Sequence, residues 1–325
     1  MKLPRRKFLQ LAAGAAAVPA ASRSAGGEVY PSRPVRIIVG LAAGGGNDII
    51  ARLIGQWLSE RFGLQFVIEN RPGAGTNIAT EVVVRAPSDG YTLLLVSAPA
   101  AINATLYEKL SFNFIRDIAP VASITRVPNV MVVHPSFPAK TAAEFIAHAK
   151  NNPGKISMGS PGIGSPQHVS GELFQMMTGV NLLHVPYRGL SPALTDLLGG
   201  QVQVLFGTTL GSIEHIKAGR LRPLAVTSAT RWEGLPDIPT LSDFVPDFEA
   251  SSWYGVGAPR NTPTEIIDKL NKEINAALAD PTMKARLADL GGTVLTGSPT
   301  DFSKLIADET EKWAKVVKFS GARAE

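Results

Sequence analysis

Cysteine is absent from all 325 residues. That removes disulfides, thiolate nucleophiles, thiolate metal sites and a lipid-anchored cysteine together. Histidine is scarce: His134, His148, His168, His184 and His215 stand singly, with no pair at metal-ligand spacing. Beyond the leader-like start, no run of about eighteen uninterrupted apolar residues reads as a membrane-spanning helix. No Gly-Lys-Ser or Gly-Lys-Thr is present to reach a terminal phosphate, and the sole Gly-Lys, Gly154-Lys155, precedes a strand instead of opening a helix. Gly44-Gly45-Gly46 misses the dinucleotide fingerprint, because Ile49 stands where the third glycine belongs. Gly189-Leu190-Ser191-Pro192-Ala193 comes nearest to a nucleophile elbow but ends in alanine, and Ser-x-x-Lys does not occur. These absences argue against an enzyme and imply no cofactor and no metal.

A formal charge of +5 suggests an anionic polymer as partner until its location is read. Lys2, Arg5, Arg6 and Lys7 lie in an opening segment without acids, followed by an apolar, alanine-rich run from Leu9 to Val18 and small residues at Ala20 and Ala21. This is the layout of a cleaved signal peptide over residues 1–21, and Arg5-Arg6-Lys7-Phe8-Leu9 resembles a twin-arginine export signal, with an ordinary Sec signal as the alternative. Its removal leaves about +1, so the electrostatic case for nucleic acid collapses. The expected mature protein is exported to the periplasm and soluble.

From Val35 the chain alternates β-branched runs with amphipathic stretches. Val35–Val39, Gln65–Glu69 and Tyr91–Val96 read as strands; Ile49, Ile50, Leu53, Ile54, Trp57 and Leu58 mark the buried stripe of a helix. A short helix runs through Glu81–Arg85. The pattern restarts at Asn129–Val133 and continues through Ile156–Gly159, Leu182–Val185, Val202–Phe206 and Leu224–Thr227, with helices over Ala142–Lys150, Gln167–Met177 and Pro192–Leu198 between them. A helical tail follows from Pro263, broken at Pro281 and ending with a helix over Thr300–Phe319; Thr293–Leu295 adds a strand. The expected fold class is α/β, two domains each with a mainly parallel sheet flanked by helices. Chain crossings near Asn129 and Trp253 divide it into 28–127 plus 252–325 and 128–251, with a cleft between the domains.

In such sheets ligands sit beyond the carboxyl ends of strands, beside helix starts that expose unpaired N–H groups. Four segments fit: Ala42–Asp48, Pro72–Asn77, Ser97–Ala98 and Gly162–His168. Glycines let the backbone approach a ligand closely, and a small anion held from both sides is the ligand such turns suit.

Several motifs occurring in order carry a resemblance. Gly44-Gly45-Gly46-Asn47-Asp48-Ile49-Ile50-Ala51-Arg52, Asn70-Arg71-Pro72-Gly73-Ala74-Gly75, Ala86-Pro87-Ser88-Asp89-Gly90-Tyr91, Arg116-Asp117-Ile118-Ala119-Pro120, Gly164-Ser165-Pro166-Gln167-His168, His184-Val185-Pro186-Tyr187-Arg188-Gly189 and Trp253-Tyr254-Gly255-Val256 span the mature chain from about Tyr30. The chain resembles the periplasmic substrate-binding proteins of tripartite tricarboxylate transporters, the Bug family. The resemblance implies a two-domain periplasmic binding protein of the type II-like, Venus-flytrap kind, closing around a small carboxylate such as a di- or tricarboxylate or an aromatic acid. It further implies backbone N–H groups and ordered water as the holders, and the membrane components of the transporter as partners of a monomer. A ligand sensor handing its bound form to a signalling system is the alternative.

The candidate ligand contacts are Ala43, Gly44, Gly45, Asn47, Asp48, Gly75, Thr76, Asn77, Ser97, Gly164, Ser165, His168, Tyr187 and Thr208. Asn47, Asp48 and Ser165 are also natural N-caps, His168 is equally a packed structural histidine, Tyr187 follows a strand where its phenol can close one wall of the cleft, and Trp253 is open between hinge packing and contact. Gln203 stands where many relatives carry an acid near the cleft, which weakens the case for an amino-acid ligand.

Overall fold

A computed structural model describes residues 30–324; the expected leader, residues 1–21, lies outside them. β1 (Val35–Val39), β2 (Phe66–Asn70) and β3 (Thr92–Ser97) run parallel, connected through α1 (Gly46–Phe62) and α2 (Asn77–Val84). α3 (Pro99–Leu106) and the single turn α4 (Phe114–Asp117) lead into β4 (Ile118–Val127). The chain then builds β5 (Asn129–Val133), α5 (Ala142–Asn151), β6 (Ser157–Ser160), α6 (Pro166–Thr178), β7 (Leu183–Pro186), α7 (Leu190–Leu198), β8 (Val204–Thr208), α8 (Thr209–Lys217) and β9 (Arg222–Val226). It returns through β10 (Ser252–Pro259), α9 (Thr264–Ala279), α10 (Pro281–Asp289), β11 (Thr293–Val294) and α11 (Pro299–Ser320).

Two sheets result, one ordered β11-β4-β10-β3-β1-β2 and the other β7-β6-β8-β5-β9. Both are mixed but mainly parallel, as expected: β2, β1, β3 and β4 share one direction in the first sheet, and β7, β6, β8 and β9 share one in the second. β10 is antiparallel to β3 and β4, and β5 is antiparallel to β8 and β9. Parallel neighbours need a crossover helix within one sheet. The strands that carry the chain between sheets have no such crossover. β4 runs through Pro128 straight into β5, and β10 brings the chain back with Ser252 paired to Val127.

The continuous apolar runs of the central strands follow from burial on both faces. In β1, Ile37 and Val39 join a cluster with Ile50 and Ile54 of α1 and Leu270 of α9. Ile38, pointing the other way, joins a cluster that includes Ala79, Ala101 and the α11 residues Phe302 and Trp313.

α11 also packs against α6, so it touches elements of both sheets. Its buried Glu309 accepts the indole N–H groups of Trp253 at 3.1 Å and Trp313 at 2.8 Å. Lys312 bridges Glu309 to Glu249, and Glu249 forms an ion pair with Arg126 at 2.9 Å. Arg126 precedes the outgoing passage and Glu249 the returning one, so one charge ladder ties both to α11. Trp253 is fully buried and meets Phe302 edge to face, which gives it the hinge-packing role. Glu309→Ala strips two buried indoles of their acceptor and leaves Lys312 with one partner fewer. The expected loss is about 2–4 kcal/mol of stability, read as a lowered urea midpoint with altered tryptophan fluorescence.

Candidate ligand-binding cleft

Two neighbouring cavities, about 240 Å³ and 500 Å³, share Leu41, Pro99, Pro166 and Gln167 and form one cleft between the sheets. Six helix starts border it: α1 through Gly46 and Asn47, α3 through Ala98 and Pro99, α2 through Thr76, α6 through Ser165, Pro166 and Gln167, α7 through Gly189, and α8 through Thr208 and Leu210.

These starts divide by how their first N–H groups are satisfied. α6 and α8 are capped by their own hydroxyls: Ser165 Oγ accepts His168 N–H and Thr208 Oγ1 accepts Gly211 N–H. α1, α2, α3 and α7 begin at Gly45, Thr76, Ala98 and Gly189 with no side-chain cap at all. Uncapped N–H groups retain their demand for an acceptor and their partial positive charge. Three of these uncapped starts, α1, α2 and α3, sit on the wall formed by the first sheet, with Asn77 N–H of α2 already given to Ala74 O.

Charge is missing from the lining. Among the described residues no Asp, Glu, Lys or Arg borders either cavity. Asp48 is buried one residue past Asn47, but its Oδ2 turns back to accept Gly44 N–H and Arg52 Nε, both at 2.9 Å. The hydrogen bond from Arg52 is the largest cause of a carboxyl held below its ordinary value of 3.8. The local cation thus neutralises the one acid near the first helix start.

The structure sorts the sequence candidates. Asn47, Ser97 and Thr208 line the first cavity, and Asn47 Nδ2 donates to Ser97 Oγ at 3.1 Å. Gly75, Thr76, Gly164 and Ser165 line the second. Asn103 Nδ2 fixes the Gly75 turn by donating to Gly75 O at 2.6 Å and Asn77 Oδ1 at 2.9 Å. Asn77 therefore stands behind the turn rather than in the lining. Ala43, Gly44 and Gly45 are exposed in front of α1 and border neither cavity; the lining begins one residue later, at Gly46. Asp48 faces Arg52, so it neither caps α1 nor borders the cleft. His168 is 2% exposed beneath the loop of residues 160–165 and does not line the cleft. Tyr187 lies in a neighbouring recess with Arg188 and donates to Asp196 Oδ2 at 2.6 Å, a bond that orients it away from the ligand space. Gln203 sits ahead of β8, at the opposite end of that strand from Thr208, and its amide serves Ser157 N–H and Gly200 O. The inference about ligand class drawn from that position therefore has no footing in this chain.

Sequence reasoning passed over Tyr254. It borders the first cavity with Gly46 and Ser97, and a Cβ built on Gly46 would lie 4.0 Å from its hydroxyl. Burial pushes the phenol up to about 12, so it stays a donor near neutrality. Among the described residues the hydroxyl has no hydrogen-bond partner. The available signal was strand alternation: Trp253 faces the core, so Tyr254 faces the other way. Gln167 and Asn129 were also passed over; Gln167 Nε2 donates to Asn129 Oδ1 at 3.3 Å, linking α6 to the passage between sheets.

The family described as "Tripartite tricarboxylate transporter family receptor" matches residues 50–321. Protein BugT of Bordetella pertussis is 37% identical over 299 residues, 91% of this chain and 92% of its own length. The solved structure described as R. palustris Rpa4515 with adipate is 39% identical, covers 90% of this chain and 99% of its own, and superposes with a TM-score of 0.80. MatC (Rpa3494) from Rhodopseudomonas palustris with bound malate is 30% identical over 89% of this chain and 100% of its own, with a TM-score of 0.76.

Asp48→Asn keeps the side chain's size but removes its charge. It is expected to lower stability by about 1 kcal/mol at neutral pH. A carboxyl held low stabilises the fold above its ordinary range and ceases to do so once protonated. The gap between parent and variant therefore closes as pH falls below about 3.8, which urea midpoints across that range would record.

Proposed function

The chain belongs to the tripartite tricarboxylate transporter receptor family, and on that premise we propose that it captures a small carboxylate in the cleft between its sheets. Members of this family are periplasmic solute-binding receptors of transport systems and not enzymes, which agrees with the absence of nucleophile and nucleotide motifs. We place the leader at residues 1–21 and divide the mature chain into domains at 28–127 with 252–325 and at 128–251. The partners are a small di- or tricarboxylate or aromatic acid and the membrane components of a tripartite tricarboxylate transporter, to which a monomer delivers its ligand.

One observation carries the ligand class: four helix starts without side-chain caps, those of α1, α2, α3 and α7, meet in a cleft whose lining holds no charged side chain. A carboxylate is the acceptor those donors lack, since it takes several N–H bonds and its charge suits the positive end of each helix. A cationic ligand meets no anion in the lining, and Asp48 is engaged by Arg52. One carboxylate seats at Gly46 and Asn47 with Ser97 and the Tyr254 hydroxyl. The rest of the ligand extends past Pro99 toward Gly75, Thr76 and the α6 start, the direction in which the two cavities join. That two similar solved structures hold adipate and malate supports the same class.

Thermal denaturation with a panel of mono-, di- and tricarboxylic acids tests the class. A true ligand at about a hundred times its Kd adds roughly 2.7 kcal/mol and several degrees of Tm. Stabilisation by sugars or metal ions with none by any carboxylate would overturn it.

The seat has its own test. Gly46→Ala places a methyl in the cavity beside Tyr254 at a helical position where alanine is favoured by up to about 1 kcal/mol. The fold should hold or gain stability while carboxylate affinity drops at least about tenfold. Tyr254→Phe removes one donor to an anion and should cost about 1.5–3 kcal/mol of affinity. Titration calorimetry showing parent-like affinity in both variants would move the seat elsewhere.

A further inference from the structure

His168 and His184 form a stack beneath the second wall of the cleft, with ring centroids 4.0 Å apart and planes inclined by 27°. Each ring is bonded to a different part of the loop of residues 160–165. His168 Nδ1 accepts Gly164 N–H at 3.1 Å, which puts the ring proton on Nε2, facing Glu172 Oε1 at 3.4 Å. His184 Nε2 meets Ser160 Oγ at 2.7 Å, and the same oxygen accepts Gly162 N–H at 3.2 Å. The loop borders the cleft through Gly162, Gly164 and Ser165. Gly164, at φ +76°, packs so closely on Leu106 of α3 that any β-carbon there would overlap that leucine. Here the two walls touch, and the backbone at the contact is held by an unprotonated imidazole nitrogen.

We propose that the His168–His184 stack is the positioning device of this lip: it sets the loop against Leu106 while His168 Nδ1 accepts Gly164 N–H, and protonation of His168 loosens the lip and the ligand with it. The proposal rests on the carboxylate-binding reading and adds to it a dependence on pH. Protonated imidazole has two donors and no acceptor, so Gly164 N–H would face another N–H. Two ionisable groups face His168 among the described residues. Glu172, one turn along α6, favours the charged ring, and His184, stacked on it, opposes a second charge. His184 itself faces His168 and the Ser160 hydroxyl. Burial, with His168 as the second cause, pushes His184 down to about 4, so its bond to Ser160 outlasts mild acid. Mild acid, which leaves His184 neutral, is therefore the range that separates the two rings.

The test uses the exported chain without its leader, in two measurements. Hydrogen exchange of the Gly164 amide needs no ligand. Its protection factor should fall at least about tenfold between roughly pH 7.5 and 5.5 in the parent. In His168→Leu it should be low at both, and His168→Asn, which sets an amide oxygen near the place of Nδ1, should restore it and remove the pH effect. Affinity for adipate, followed by calorimetry, should behave the same way: weaker in acid for the parent, weak throughout for His168→Leu, rescued and flatter for His168→Asn. Comparison with the Asn variant cancels the titration of adipate itself. An unchanged Gly164 amide in His168→Leu, or identical pH profiles for parent and His168→Asn, would overturn the positioning role. If adipate does not bind the parent at neutral pH, the affinity arm uses whichever acid of the carboxylate panel does; binding by none falls on the functional reading, and the exchange measurement still decides the lip.

Discussion

Hydrogen-bond donors without acceptors govern this molecule. A helix start leaves several N–H groups unpaired, and most helices here satisfy them locally: Thr141, Ser165, Thr208, Asp280 and Ser298 each cap their own helix. The three helices that abut the cleft from the first sheet do not. Their caps are Gly45, Thr76 and Ala98, none of which offers a side-chain acceptor to its helix. Groups of this kind are seldom left unpaired when water is excluded, and on the proposed reading the ligand is the acceptor they meet when the cleft closes. An arginine could hold a carboxylate too, but a flexible cation must be ordered and stripped of water, whereas the peptide donors are already fixed by the helices that carry them.

The passages between the sheets determine what such a cleft can do. β4 continues into β5, and β10 returns beside it, so the walls are joined by two adjacent strand segments rather than by a loose linker. Glu309, Lys312, Glu249 and Arg126 tie both passages to α11, whose apolar face meets elements of either side. Rotation about so narrow a connection keeps the walls facing each other, the geometry of hinge closure around a ligand.

Much of this was legible in the sequence, and the failures have identifiable causes. Strands buried on both faces and helices with a clear stripe, such as Val35–Val39 and Ile49–Leu58, declared themselves through periodicity. β4 and β10 did not: Ile118–Val127 carries a proline and small polar residues, and Ser252–Pro259 carries two glycines pressed against Phe302 and Ile118. Their partners come from distant parts of the chain, which local pattern does not report. Among the candidate residues, the turn positions lie in the cleft lining or within a few residues of it, because a helix start follows from the stripe after it. Side-chain direction was not readable. Asp48 meets Arg52, Tyr187 meets Asp196, and His168 meets Gly164, each a choice made by packing that composition does not encode. Tyr254 escaped for the converse reason: it was quoted within a motif, but only the strand register shows that its hydroxyl comes to Gly46.

The two walls therefore have different chemistry. On the second wall Ser165 accepts from His168, Thr208 accepts from Gly211, and the loop of residues 160–165 is fastened to two imidazoles, while the α7 start at Gly189 carries no side-chain cap. That wall can press on Leu106 and exclude water without needing a ligand to organise it. The first wall is organised in backbone but incomplete in hydrogen bonds, and exclusion of water makes that incompleteness costly. Closure without a carboxylate would bury unsatisfied N–H groups, and closure around one satisfies them. Under this reading ligand and closure are coupled through the same donors, so a membrane partner that distinguishes open from closed also distinguishes empty from loaded.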